Sequence, residues 1–224
     1  MTYIISLGGS LIYPNRLDLQ FVRKFGKLIL GYAKRGRRFF IVTGGGKLAR
    51  QCQALAQATG KISNPDLDWL GIAATRASAE VLRDLFGKFA YPEVLNDPTK
   101  KLERPKRINV FSGWKPGRST DYAAVRLAQT YGIKTVLNLS NIDYVYNADP
   151  KEYKNAQPIK QITWQNFRKL FQEKWRPGAN LPFDPKASAL AEQQGIKVVV
   201  MNGRDFKNFQ AFLQGRSFKG TVIS

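Results

Sequence analysis

The 224-residue sequence predicts an α/β fold, a three-layer αβα sandwich around a mainly parallel central sheet. Three observations carry that expectation. Short apolar runs alternate with segments whose apolar residues recur at helical spacing. Several of those runs lead directly into glycine, as strands do where they turn towards a helix. No repeat, low-complexity tract or Ser/Gly linker divides the chain, so a single domain spanning 1–224 is expected.

The elements follow in order. Tyr3–Leu7 reads as a buried strand entering "GGS" at 8–10. Phe21, Phe25, Leu28, Ile29 and Tyr32 then recur as the apolar stripe of a helix lying on a sheet. Arg38–Thr43 is the second strand and runs into Gly44, Gly45 and Gly46. One helix follows from about Lys47 to Gly60 and another from about Asp68 to Phe86. Ile108–Phe111 is a strand, followed by the Gly/Pro loop within "FSGWKPGRSTD" and a helix from about Asp121. Thr135–Leu139 is a strand and Asn141–Pro150 a long polar loop. Asp184-Pro185 marks a helix start, because proline at the first helical position gives up an N–H that would lack a partner anyway; Gly195 ends that helix. Val198–Met201 is a strand, Asp205 starts the last helix, and Thr221–Ile223 is a final strand.

Composition narrows the function. With 43% hydrophobic residues the chain can bury an ordinary globular core. No apolar run approaches the ~18 residues that signal a membrane span, and no basic leader precedes the first strand, so a cytoplasmic protein without a signal peptide is expected. The single cysteine, Cys52, cannot form an internal disulfide, which fits a reducing compartment. Histidine is absent, which excludes Ser-His-Asp hydrolysis, histidine general bases and histidine metal sites. Thirty-six lysines and arginines against 16 acidic residues give a formal charge of +20. Such a balance favours anionic partners. The cations are scattered, as at Arg35, Arg37 and Arg38, at Lys100 and Lys101, and at Arg104, Lys106 and Arg107. A generally basic surface is the simpler reading, and nucleic acid is not expected as a partner.

Three glycine loops leave the ends of three predicted strands: "SLGGSLI" with Gly8, Gly9 and Ser10; "VTGGGKLAR" with Gly44, Gly45, Gly46 and Arg50; and "FSGWKPGRSTD" with Gly113, Gly117, Ser119 and Thr120. Glycine lets backbone N–H groups approach an anion, and a following helix N-terminus adds its positive dipole end. One such loop is as readily a plain turn as a phosphate site. Three at one sheet edge, with hydroxyls and cations beside them, point to a polyphosphate. Neither G-x-x-x-x-G-K-[ST] nor G-x-G-x-x-G after a strand occurs, so a nucleotide must be held by another scheme.

Five ordered motifs supply one: "GGS" at 8–10, "TGGGKLAR" at 43–50, "LGIAATRASA" at 70–79, "PGRSTD" at 116–121 and "NIDYVYNADP" at 141–150, with "DPKASALA" at 184–191 as a looser match. With them the chain resembles the amino acid kinase superfamily from end to end, and within it the archaeal-type uridylate kinases. The stretch at 141–150 is the most specific, being similar to the N-V-D-G-V-Y-T-A-D-P that such kinases wrap around ATP. The resemblance implies Mg2+-assisted phosphoryl transfer from ATP to UMP in a homohexamer, with 1–135 mainly on the acceptor side and 136–224 mainly on the ATP side. It implies that Gly8, Gly9 and Ser10 touch the donor's transferring phosphate, and that Gly45, Gly46 and Arg50 hold the acceptor phosphate. Asp68 falls on the acceptor's ribose or base, and Gly113 and Thr120 complete that pocket. Asn141, Tyr146, Asp149 and Pro150 fall at ATP, and Asp121 at the reaction centre, organising cations. No side-chain metal ligand set is expected with them.

Three positions depart from the pattern. Superfamily members often carry lysine two residues before the first glycine pair, where this chain has Ser6. Tyr144 replaces a common glycine, and Asn138 stands where some bacterial relatives have lysine. Lys186 lies where acetylglutamate kinases place a catalytic lysine, so it becomes a catalytic candidate, between the 8–10 and 113–120 loops and open to pairing with Asp121. The alternatives are a kinase of the same fold with another phosphate or carboxylate acceptor, and a non-catalytic protein that binds oxoanions or nucleotides. Isopentenyl phosphate kinases use a histidine at the acceptor phosphate, which this chain lacks.

Overall fold

The computed structural model describes residues 1–150, 152–172 and 181–224. Its first half contains β1 (Thr2–Leu7), α1 (Gly9–Ile12), α2 (Leu19–Lys34), β2 (Arg38–Thr43), α3 (Gly46–Thr59), α4 (Asn64–Phe86), β3 (Ile108–Phe111) and α5 (Thr120–Tyr131). The second contains β4 (Thr135–Ser140), β5 (Val145–Tyr146), β6 (Pro158–Ile159), β7 (Gln161–Ile162), α6 (Trp164–Gln172), α7 (Pro185–Gln193), β8 (Lys197–Asn202), α8 (Phe206–Leu213) and β9 (Thr221–Ile223).

The central sheet has the order β3-β2-β1-β4-β8-β9-β7. Its first five strands are mutually parallel, whereas β9 runs antiparallel to β8 and parallel to β7. The chain steps outward from β1 to β2 and β3, then returns to the other side of β1 with β4. That reversal lies between β1 and β4, where open α/β sheets place their ligand crevice.

Alternation along the strands builds the three layers, since successive side chains point to opposite faces. Ile5, Leu7, Ile41 and Leu137 pack with Phe25 and Ile29 of α2, Leu82 of α4 and Phe209 of α8. Ile4, Phe40, Val42 and Val136 pack on the other face with Val125 of α5, Phe167 of α6 and Ala187 of α7. The predicted αβα sandwich is therefore the observed fold. Among the described residues no helix is long and apolar enough to cross a membrane.

Several elements differ from the sequence reading, among them α1, β6 and β7, which are too short to show periodicity. Helix α4 begins at Asn64 rather than near Asp68, because Ser63 accepts a hydrogen bond from the Asp66 N–H (3.3 Å) and donates one to its carboxylate (2.6 Å). The loop after β4 contains a two-residue strand, β5, paired antiparallel with β6. Strands so short leave no periodicity to read. Helix α6 is absent from the sequence reading although Trp164, Phe167 and Phe171, three and four residues apart, form its apolar face.

Candidate active site

The first two glycine loops meet at the carboxyl ends of β1 and β2. A Cβ on Gly9 would lie 2.0 Å from the Gly46 nitrogen, and one on Gly46 would lie 2.3 Å from the Gly9 carbonyl oxygen. Gly46 also has φ +59, which L side chains rarely adopt. The bare backbone is thus required by the neighbouring loop, before any ligand is considered.

What the loops offer a ligand is decided by their N–H groups. Gly8 N–H donates to Leu139 O (2.8 Å) and Gly44 N–H to Leu7 O (2.9 Å), so both are spent on the sheet. The N–H groups of Gly9, Ser10, Gly45 and Gly46 have no acceptor within the described residues. Gly9 and Gly46 are the first residues of α1 and α3, where helix geometry provides no partner. Four uncommitted donors thus gather beside the β1–β4 switch point. Such a set of donors is what an anion cradle requires.

The third loop is held differently. Gly113 N–H donates to Thr75 Oγ1 (2.7 Å), and Thr43 Oγ1 donates to Thr75 O (3.0 Å), tying β2, α4 and the start of the loop together. Gly113 therefore contributes close packing rather than a free donor. Gly117 (φ +73) is gripped from both sides: its N–H donates to Asp68 Oδ2 (2.7 Å), while its carbonyl accepts from Lys186 Nζ (3.1 Å). Asp68 on α4 and Lys186 on α7 are thereby joined through one peptide. Ser119 caps α5 by accepting from Tyr122 N–H (3.1 Å), which sets Thr120 and Asp121 in its first turn.

Asp121 sits below this loop and accepts a hydrogen bond from Ser6 Oγ (2.7 Å). The residue keeps some surface, but its carboxyl is enclosed, and burial pushes that group up to about 6. The Ser6 hydroxyl opposes the shift, the negative charge of Asp184 adds to it, and a hydrogen bond from the Asp184 backbone opposes it. Lys186 does not pair with Asp121: its ammonium is engaged by the Gly117 carbonyl, and Ser6 occupies the carboxylate. Asp184, read from sequence only as a helix cap, does cap α7 through Ala187 N–H (2.7 Å). Its proximity to Asp121 was the functional feature sequence reasoning missed, because residues 63 positions apart carry no local signal.

Arg50 and Asp68 line one cavity of about 380 Å³ between α3 and α4, with Gln53, Asn64 and Leu67. Among the described residues Arg50 has no ion-pair partner. On the other side of the sheet's midline, Asn141 is exposed directly after β4, and Tyr146 on β5 meets the Tyr144 ring edge-on at 6.5 Å. Asp149 and Pro150 are exposed in the following turn.

Comparison with known proteins fits this arrangement. The amino acid kinase family pattern matches residues 1–202. The chain is 31% identical over 223 residues to a uridylate kinase from Methanocorpusculum labreanum, covering 98% of this chain and 94% of that one. It is 33% identical over 223 residues to one from Thermoplasma volcanium, covering 98% and 96%. The crystal structure of uridylate kinase from Archaeoglobus fulgidus superposes with a TM-score of 0.85 at 32% identity, covering both chains completely. Its fold, its glycine cradle and a match running through 202 of its residues agree: the chain belongs to the amino acid kinase family.

Proposed function

We propose that the protein is a UMP kinase, which transfers the terminal phosphoryl group of ATP directly to UMP to give ADP and UDP. The observation that carries the reading is the cradle of four uncommitted N–H groups at the switch point, in a chain matched from end to end by uridylate kinases. Phosphoryl transfer needs little covalent help from a protein. It needs alignment, and positive charge on the phosphate oxygens as they separate.

In this reading Gly9 and Ser10 receive the transferring phosphoryl group, with Gly8 shaping the loop. Gly45, Gly46 and Arg50 hold the phosphate of UMP. Asp68 exchanges its bond to Gly117 for the ribose or base, and Gly113 and Thr120 close the pocket. Asn141, Tyr146, Asp149 and Pro150 bind ATP. The first 135 residues thus serve mainly the acceptor and the rest mainly the donor.

The donor set suits Mg2+. Asp121 and Asp184 place two carboxyl groups near one another, and no cluster of three or more acidic, cysteine or histidine ligands exists among the described residues. Mg2+ typically takes one or two carboxylates and leaves its other positions to water and phosphate oxygens. When bound, it would neutralise charge on the β- and γ-phosphates. No general base is required, because the phosphate of UMP is already ionised at neutral pH. A cytoplasmic homohexamer completes the proposal, and sedimentation would test the assembly.

Incubation with ATP, Mg2+ and UMP should yield equimolar ADP and UDP on anion-exchange separation. Release of ADP without UDP would reject the activity. Arg50→Ala should raise the UMP dissociation constant about ten- to hundredfold and leave ATP binding within about twofold, since a charge-assisted hydrogen bond contributes roughly 1.5–3 kcal/mol. Equal losses for both nucleotides would place Arg50 outside the acceptor pocket.

A further inference from the structure

The sheet gathers at one edge cations that the sequence scatters. The first five strands in sheet order are parallel, so the residues preceding each of them collect at the edge opposite the glycine loops. Pairing of Phe39 with Ile108 sets Arg38 beside Arg107, and pairing of Thr2 with Arg38 continues the row onto β1. Pairing of Ile4 with Val136 brings Lys134 alongside Thr2. Arg107, Arg38 and Lys134 therefore lie on one transverse line across four strands, about 14 Å long at about 4.8 Å per strand. The turn before β2 adds Arg35 and Arg37, and the loop before β3 adds Arg104 and Lys106.

None of these cations has an ion-pair partner among the described residues. Of the described acidic groups near this end, Glu192 pairs with Arg168 and Asp84 with Arg83, both outside the line. Crowded like charges oppose the compact state. Arg107 Nη1 donates to Gly36 O and Lys134 Nζ to Gln194 O, both at 3.0 Å, so each keeps further N–H donors for a phosphate.

The same edge holds a cavity of about 460 Å³, with Lys134 and Arg216 at its lining and the half-buried rings of Phe212 and Phe218 in its wall. The two rings meet edge-to-face at 5.2 Å. A line of cations beside an aromatic-walled cavity matches a backbone of phosphates with unpaired bases, because a base can leave the strand to stack on a ring. A duplex keeps its bases stacked and has no use for the cavity. A small polyanion has no use for the line.

We infer that the amino-end edge of the sheet binds single-stranded nucleic acid, with phosphates along Arg107, Arg38 and Lys134 and a base in the cavity walled by Phe212 and Phe218. This function is separate from phosphoryl transfer, which takes place at the opposite edge.

The test is fluorescence anisotropy of a labelled oligoadenylate about 12 nucleotides long, with excess UMP and ADP present to occupy both nucleotide sites. Affinity should fall with salt at a log–log slope of about −3, for roughly four phosphate contacts. Arg107→Ala/Lys134→Ala/Arg216→Ala should weaken binding at least about tenfold and flatten the slope by about 2. Phe218→Leu keeps the bulk of the side chain and removes the ring face; it should weaken the single strand about fivefold or more and leave duplex binding unchanged. UMP phosphorylation should be unaffected in both variants. Lys24→Ala/Lys27→Ala/Lys160→Ala removes the same charge from exposed positions elsewhere. An equal loss of affinity in that control would overturn the inference, as would tighter binding of a duplex or of anionic lipid vesicles.

Discussion

Asp121→Asn is expected to lower turnover about a hundredfold or more while raising the melting temperature near neutral pH. The two effects have one cause. The carboxyl is enclosed, and burial lifts it from an ordinary 3.8 to about 6. A group that holds its proton more tightly in the folded chain than in the unfolded one opposes folding once it ionises. That cost is absent below about pH 4, grows between about 4 and 6, and is complete above, reaching at most about 3 kcal/mol for a shift of about two units. Asparagine keeps the acceptor for Ser6 Oγ and removes the charge. Thermal melts should therefore show the variant gaining stability at pH 7.5 and gaining nothing at pH 3.5.

Catalysis moves the other way. The enclosed charge is useful only when cations and polyphosphate are present, and its loss leaves the separating phosphate oxygens less well neutralised. About 3 kcal/mol of transition-state stabilisation corresponds to roughly a hundredfold in rate. Near-normal turnover, or a destabilised variant at pH 7.5, would reduce Asp121 to an ordinary first-turn residue of α5.

Lys186→Met is expected to lower kcat about a hundredfold with KM for UMP changed less than about threefold. Ser6 supplies no charge two residues before the glycine pair, so a cation must come from elsewhere. Lys186 already reaches the third glycine loop, where its ammonium donates to Gly117 O (3.1 Å). That bond is weak enough to exchange for a phosphate oxygen when the donor nucleotide arrives. A contact strengthened only in the transition state appears in kcat rather than in KM. Single-turnover measurement with saturating ATP separates the chemical step from product release. A rise in KM at constant kcat would instead make Lys186 a strut that merely holds the loop shape through Gly117.

The regular part of this fold is legible in the sequence because it is local. Apolar runs of four to six residues give β1, β2, β3, β4 and β8 almost to the residue, and Asp184-Pro185 and Asp205 mark true helix starts. The candidate site is only partly legible. Glycine at 9, 44 and 46 can be read as an anion loop, yet its first requirement is contact between two loops some 35 residues apart, which no local pattern encodes. The grip of Asp68 and Lys186 on Gly117 is equally invisible, since each partner lies about 50 to 70 residues from it. The cationic edge is the clearest case. Arg38, Arg107 and Lys134 look dispersed along the chain, and only the parallel register of β1 to β4 aligns them.

The central claim is the identity of the acceptor, and competition tests it most directly. An equimolar mixture of 15N-labelled UMP, CMP, AMP and GMP is incubated with the protein, limiting unlabelled ATP and Mg2+, and the four labelled diphosphates are quantified together by mass, which separates ADP made from AMP from the ADP left by ATP. UDP should exceed each of the others by at least about tenfold, a difference of about 1.4 kcal/mol between acceptors. CDP, ADP formed from AMP, or GDP at or above the level of UDP would contradict the assignment.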